Sequence, residues 1–171
     1  MSRVEAIDPD SIPVLPPSQA EERERLKKTY DLVKTIDSTF ISNNDILHFH
    51  LKYYCLKNIN LVEPKAYDPD TKHPKEFVTH PFVFDIALTH NSEVVLNRLF
   101  KASDLNLFFE DTFGGNLKKY GSLLMPKLAK RNKDKSRVVI DCPIAIPATD
   151  IGIGMFLIIS KNGSYTFVEN Y

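Results

Sequence analysis

The sequence predicts an α+β fold in which N-terminal and central helices pack on a C-terminal antiparallel sheet that includes a β-hairpin at 156–169. Three observations support this class: a helix-start signal at Ser18, apolar residues spaced by threes and fours downstream of it, and an Asn-Gly pair between two apolar runs near the C-terminus. A chain of 171 residues, 43% of them hydrophobic, is long enough for one core. We therefore expect a Pro-rich extended arm at 1–17 and a single α+β domain at 18–171.

The arm is predicted from its four prolines, which fix an extended backbone and remove hydrogen-bond donors. Its apolar residues Ile12, Val14 and Leu15 are the predicted partner-binding residues, because an extended Pro-rich segment loses little entropy when it docks. The sequence leaves open whether the arm docks on the body of the same chain or on a partner.

The first helix is predicted from about Gln19 to Phe40. Ser18 and Glu21 have the spacing of a capping box, in which each side chain bonds the backbone N–H of the other residue. From Leu26 onward, apolar residues recur at helical spacing with charges between them. The next segment, 47–54, alternates apolar and polar residues, which fits either a strand or a short amphipathic helix.

The central region is predicted to contain a buried strand followed by helices. The strand is expected at 82–88, which is largely apolar. Asn91 or Ser92 is predicted to cap one helix, and Ser103 or Asp104 another, since all four residues are good N-caps.

The C-terminal hairpin is predicted from Asn162 and Gly163, because Asn-Gly supplies the two positive φ values of a type I′ turn. The apolar segments 138–140 and 144–146 add one strand or two short ones. Pro143 places that strand at a sheet edge or a bulge, since proline cannot donate a ladder hydrogen bond.

A basic stretch at 118–137 stands out against a net charge of zero. It carries +7, whereas residues 1–117 carry −5 and residues 138–171 carry −2. We expect a helix there, with an apolar stripe from Leu117 to Leu128 facing the core and a kink or restart at Pro126. A concentrated positive surface favours an anionic partner. The predicted anion- or nucleic-acid-binding residues are Lys118, Lys119, Lys127, Lys130, Arg131, Lys133, Lys135 and Arg137.

Signals for catalysis are weak. Cys55 and Cys142 have no motif spacing, and we expect two reduced, buried thiols. His48 and His50 would share a strand face, but the remaining ligands of a metal site cannot be identified from spacing, so no metal is predicted. The six glycines form no phosphate-binding pattern, so no cofactor is predicted.

These observations favour a non-enzymatic protein-interaction or assembly subunit of a larger intracellular complex, cytoplasmic or nuclear, with a basic surface for an acidic partner. The alternative is a nucleic-acid-binding module that contacts phosphates through 118–137, with RNA favoured over DNA as the ligand. A third class is a small hydrolase or metal enzyme that uses the His-bearing region 63–90; this would need His80, Asp85 or His90 in a closed pocket. We expect no membrane span, and the sequence leaves the oligomeric state and the identity of the partner open.

Overall fold

The α+β prediction is wrong, because the chain folds mainly as antiparallel β-structure. The computed structural model of the protein describes residues 18–42, 44–68, 70–108, 115–129 and 136–169. Within these residues there are thirteen strands and two α-helices. Most of the apolar spacing that predicts helices therefore belongs to strands that bury one face.

The helices are short and lie outside the main sheet. Helix α1 spans Gln19–Lys27 and α2 spans Gly115–Tyr120, with single 3-10 segments at Lys65–Tyr67 and Ala102–Phe108. None of the described helices is long and apolar enough to cross a membrane. The strands are β1 Lys34–Ser42, β2 Asp45–Cys55, β3 Leu61–Glu63, β4 Phe77–Thr79, β5 Phe82–His90, β6 Glu93–Phe100, β7 Ser122–Leu123, β8 Lys127–Leu128, β9 Arg137–Asp141, β10 Ile144–Ala145, β11 Gly152–Ile153, β12 Phe156–Ser160 and β13 Tyr165–Val168.

The N-terminal half forms a four-stranded antiparallel sheet in the order β1-β2-β5-β6. Segment 47–54, for which the sequence allowed either a strand or a helix, is the middle of β2. Along β2 every second side chain from Leu47 to Cys55 is buried, as its alternation requires for a strand with one face in the core. The small hairpin β3–β4 is inserted between β2 and β5 and forms a separate two-stranded sheet.

The C-terminal half forms two further antiparallel sheets, β13-β12-β9-β8 and β11-β10-β7. The predicted hairpin at 156–169 is confirmed: β12 pairs with β13, and Ile159 faces Tyr165. Its turn differs from the predicted type I′, since Gly163 has a φ of 83° but Asn162 has no positive φ. The Gly163 N–H donates to the Ser160 carbonyl at 2.9 Å, so the turn spans residues 160–163 and the left-handed residue is its last.

A single cluster of buried side chains joins the N-terminal sheet to the C-terminal sheets. Phe100 of β6 illustrates the contact, because its ring lies 5.1 Å from the ring of Tyr165 and 5.9 Å from that of Phe167. The hairpin therefore packs on the main sheet through edge-to-face aromatic contacts.

The predicted first helix is correct only at its start. The Ser18–Glu21 capping box is present, but α1 ends at Lys27 and residues 34–42 form β1. This segment pairs along its whole length with β2, from Lys34 opposite Tyr53 to Ser42 opposite Asp45. Ile36 and Phe40 are four residues apart, so they share one face of a strand as well as one face of a helix. Pairing with β2 decides for the strand.

Two central helices are also replaced. Asn91 and Ser92 are not N-caps; with φ values of 48° and 72° they form the two-residue turn between β5 and β6. The segment 117–128 is not one helix, because α2 ends at Tyr120 and the short strands β7 and β8 follow. The helix predicted after Ser103 is present only as the 3-10 segment Ala102–Phe108.

Candidate functional site

An apolar groove of about 1000 Å³ lies between α1, the 3-10 segment of the β3–β4 insertion and the loop before β11. Its lining residues come from six separate stretches of the chain. They are Gln19, Glu22, Arg25, Leu26, Thr29, Leu32, Lys34, Tyr53, Ala66, Tyr67, Asp68, Phe82, Ser122, Leu123, Leu124, Met125, Ala145, Ile146, Pro147, Ala148, Thr149, Asp150 and Ile151.

Helix α1 forms one wall and is fixed by the insertion opposite. The Gln19 side-chain amide donates to the Tyr67 carbonyl at 2.7 Å, and the Arg23 guanidinium donates to the same oxygen at 3.3 Å. Arg23 also lies 4.5 Å from the centre of the Phe77 ring and 3.6 Å from the Asp68 carboxylate. α1 has no buried residue of its own, so these contacts hold it in place.

The floor of the groove is a rigid aromatic pair. The rings of Tyr53 and Phe82 are stacked with centroids 5.1 Å apart. The Tyr53 hydroxyl donates to the Leu123 carbonyl at 3.1 Å, and the Phe82 N–H donates to the Ser122 hydroxyl at 2.9 Å. The polar groups of the floor are therefore paired, and the surface offered to a ligand is apolar.

Three large apolar side chains that line the groove are exposed. Leu32 is 47% exposed, Leu124 41% and Met125 37%. Single exposed apolar residues are ordinary, but a contiguous set around one concave surface is typical of a binding site. Ala148 on the opposite wall has a φ of 55°, a left-handed conformation that non-glycine residues adopt at a cost and that concentrates at ligand-binding segments.

The charged residues of the groove are mostly paired. Arg25 bonds Glu22 at 3.1 Å on the exposed side of α1, and Asp68 accepts backbone bonds from Asp70 and Lys75 besides its contact with Arg23. These bonds hold the pKa of Asp68 below its usual range. None of the described lining residues is a histidine or a cysteine.

A buried carboxyl group lies at the end of β3, in the β3–β4 insertion. Glu63 is fully buried, and neither of its carboxylate oxygens has a hydrogen-bond partner among the described residues. Burial raises the pKa of Glu63 from 4.5 to about 7, and the charge of Arg23 opposes the rise. Sequence reasoning missed this residue, whose only signal was an acid at a position where the strand alternation expects an apolar side chain.

The predicted basic surface is divided among different elements. Lys118 and Lys119 are exposed in the last turn of α2, where positive charge also stabilises the helix end. Lys127 is exposed on β8 opposite Asp141 of β9, and Arg137 is half-buried on β9. Lys127 therefore lies on a strand and not on the helix predicted for this stretch. The other four residues, Lys130, Arg131, Lys133 and Lys135, lie outside the described residues, as do the predicted partner-binding residues Ile12, Val14 and Leu15.

The histidines are used in pairwise contacts. His48 and His50 do share the outer face of β2, where His48 bonds the Thr39 hydroxyl at 3.1 Å and His50 bonds the Asp37 carboxylate at 2.6 Å. No group of three or more metal-ligating side chains occurs in the part of the chain that the structure describes.

The residues considered for a hydrolase are not brought together. His80 bonds the Ile59 carbonyl at 2.8 Å and packs against Tyr30, while Asp85 and His90 are about 17 Å apart along β5 at the usual rise of a strand. None of the three lines the groove. Burial raises the pKa of Cys55 to about 11 and that of Cys142 to about 12, so both thiols are protonated and unreactive at neutral pH.

Sequence reasoning also missed the groove as a whole, because its walls come from segments up to about 130 positions apart. The one local signal is the apolar pair Leu124 and Met125, and the predicted helical stripe placed Leu124 towards the core. Comparison with family models and with curated proteins finds no match for this sequence.

Proposed function

We propose that this protein is a non-enzymatic interaction subunit that binds an extended apolar segment of a partner protein in the groove. The single observation that carries the proposal is the concave apolar surface with Leu32, Leu124 and Met125 exposed at its mouth. Burying these side chains against a partner favours binding, because each fully buried large apolar side chain contributes about 1.5–3 kcal/mol. An intracellular location agrees with the two unlinked, buried thiols.

The occupant that best fits is a Pro-containing polypeptide segment. The groove is open along its length, and the polar groups of its floor already have partners, so a ligand gains little by offering hydrogen-bond donors there. Proline has no N–H to leave unpaired, and its fixed φ reduces the entropy lost on docking. Glu22 and Arg25 neutralise each other on α1, so this side of the groove selects neither a cationic nor an anionic ligand.

The test is selection of short random peptides displayed on phage against the full-length protein, followed by affinity measurement of the enriched sequences by fluorescence anisotropy. We expect apolar, Pro-containing sequences to be enriched. Replacing Leu124 and Met125 by Glu should weaken their binding at least tenfold, which corresponds to about 1.4 kcal/mol.

Val94→Glu is the matched control, since Val94 is 61% exposed on β6 and does not line the groove. All variants change exposed residues, and equal thermal melting midpoints would show that the fold is retained. Binding that is equally strong in the Leu124→Glu, Met125→Glu double variant, or a selection that enriches nothing, would contradict the proposal.

Phosphate binding by the basic stretch remains a second candidate, favoured by the +7 charge of residues 118–137. It predicts binding to generic RNA with an affinity that falls steeply as salt rises. Reversal of Lys127, Lys130 and Arg131 to Glu should abolish that binding. RNA binding that is absent, or that ignores this reversal, removes the candidate.

A further inference from the structure

We infer that residues 7–17 of the same chain occupy the groove in the free protein, so that a partner segment binds by displacing them; this inference rests on the proposed function of the groove. Three features of the molecule support it: where this segment ends, how far it reaches, and its side-chain chemistry.

The segment ends at the groove. Pro17 precedes Ser18, the N-cap of α1, and Gln19 is the first lining residue. The backbone of Ser18 is extended, with φ −65° and ψ 156°, and its N–H bonds the Glu21 carboxylate at 2.8 Å. Ser18 is therefore a fixed point from which the preceding residues leave the helix at one end of the groove.

The length of the segment matches the wall that it would follow. Gln19, Glu22 and Leu26 line the groove from one face of α1, and at about 1.5 Å per residue the first and last are about 10 Å apart. A Pro-rich extended chain covers about 3.1 Å per residue, so the three residues from Leu15 to Ser18 can span about 9 Å. On the same measure the six residues from Ile12 to Ser18 can span about 19 Å, which exceeds the length of α1 up to Leu26.

The chemistry of the segment matches the lining. Residues 12–17 read Ile-Pro-Val-Leu-Pro-Pro, six apolar positions of which three have no N–H. An antiparallel return along α1 would therefore bring these apolar residues to the apolar floor of the groove.

An internal occupant lowers the apparent affinity for any competing ligand. If the segment fills the groove in nine molecules out of ten, the apparent Kd of a partner peptide is about tenfold weaker than its intrinsic value. A variant in which the segment no longer binds the groove should therefore bind a partner peptide about tenfold more tightly than wild type does.

The experiment uses the methionine methyl groups of the full-length chain as reporters. There are three methionines: Met1, Met125 in the groove and Met155 in the core. In protein labelled with 13C at the methionine methyls, the Val14→Asp, Leu15→Asp double variant should shift the Met125 resonance and leave that of Met155 in place. The Val4→Asp, Ala6→Asp double variant is the matched control, because it adds the same charge outside residues 7–17 and should shift neither.

An unchanged Met125 resonance in the double variant would overturn the inference. The wild-type Met125 resonance is also recorded at decreasing protein concentration. If dilution moves it to the position seen in the double variant, the inference is overturned, because the groove would then hold the segment of a second copy. Peptides from the phage selection separate this failure from that of the proposed function. If they shift Met125 but bind the double variant no more tightly than wild type, the groove binds partners and the inference fails. If the double variant shifts Met125 and no peptide binds, the segment occupies the groove and the proposed function fails.

Discussion

Replacing Glu63 by Gln should remove a pH-dependent loss of stability. The folded protein holds a proton on this carboxyl more tightly than the unfolded chain does, because burial raises its pKa from 4.5 to about 7. The contribution of this group to stability is therefore fully favourable below pH 4.5 and is lost as the pH rises through 7. Since one pKa unit corresponds to about 1.4 kcal/mol, the complete loss is about 3 kcal/mol.

The assay is urea unfolding followed by far-ultraviolet circular dichroism at intervals from pH 5 to pH 8. Stability of the wild-type protein relative to Glu63→Gln should fall by about 2.5 kcal/mol over this range. Comparing the two proteins across pH cancels any constant cost of burying the amide. Glu76→Gln, at an exposed position just before β4, controls for the loss of a charge. Parallel pH curves for wild type and Glu63→Gln would refute the reasoning.

Two further changes test how the hairpin is joined to the main sheet. Gly163→Ala should lower the unfolding free energy by about 1–2 kcal/mol or more, because Gly163 has a positive φ and an added Cβ would lie 1.9 Å from the Val95 carbonyl oxygen; an unchanged melting midpoint would contradict this. Asp45→Asn should remove an acid-sensitive contribution, since bonds from Lys161 and His90 lower the pKa of Asp45 to about 2. That contribution is present above pH 4 and lost as the pH falls towards 2, so wild type should lose stability more steeply than Asp45→Asn in acid unfolding measurements.

The sequence predicts local features of this fold better than its class. The capping box at Ser18 and the C-terminal hairpin depend on neighbouring residues, and both are present. Residues 34–40 fall within the predicted helix because Ile36 and Phe40 are four apart, a spacing that a strand shares. The choice is made by pairing with β2, which no local window contains.

The turn at Asn91 and Ser92 shows the same limit at shorter range. Both residues are good N-caps and both tolerate a turn, and the outcome depends on whether the next segment pairs with a strand.

The groove could not be predicted from the sequence for a related reason. Its floor joins Tyr53 to Leu123, so it exists only once distant strands have come together.

The position of the β3–β4 hairpin in the chain has a consequence for how this protein can vary. Strands β2 and β5 are adjacent and antiparallel, so a short turn would suffice to connect them; residues 56–81 are an excursion from a four-stranded meander. That excursion supplies Ala66, Tyr67 and Asp68 to the groove and contains the buried Glu63. Part of the groove wall and the buried carboxyl group thus lie in one insertion, which can lengthen, shorten or diverge while the ladder of the main sheet stays intact.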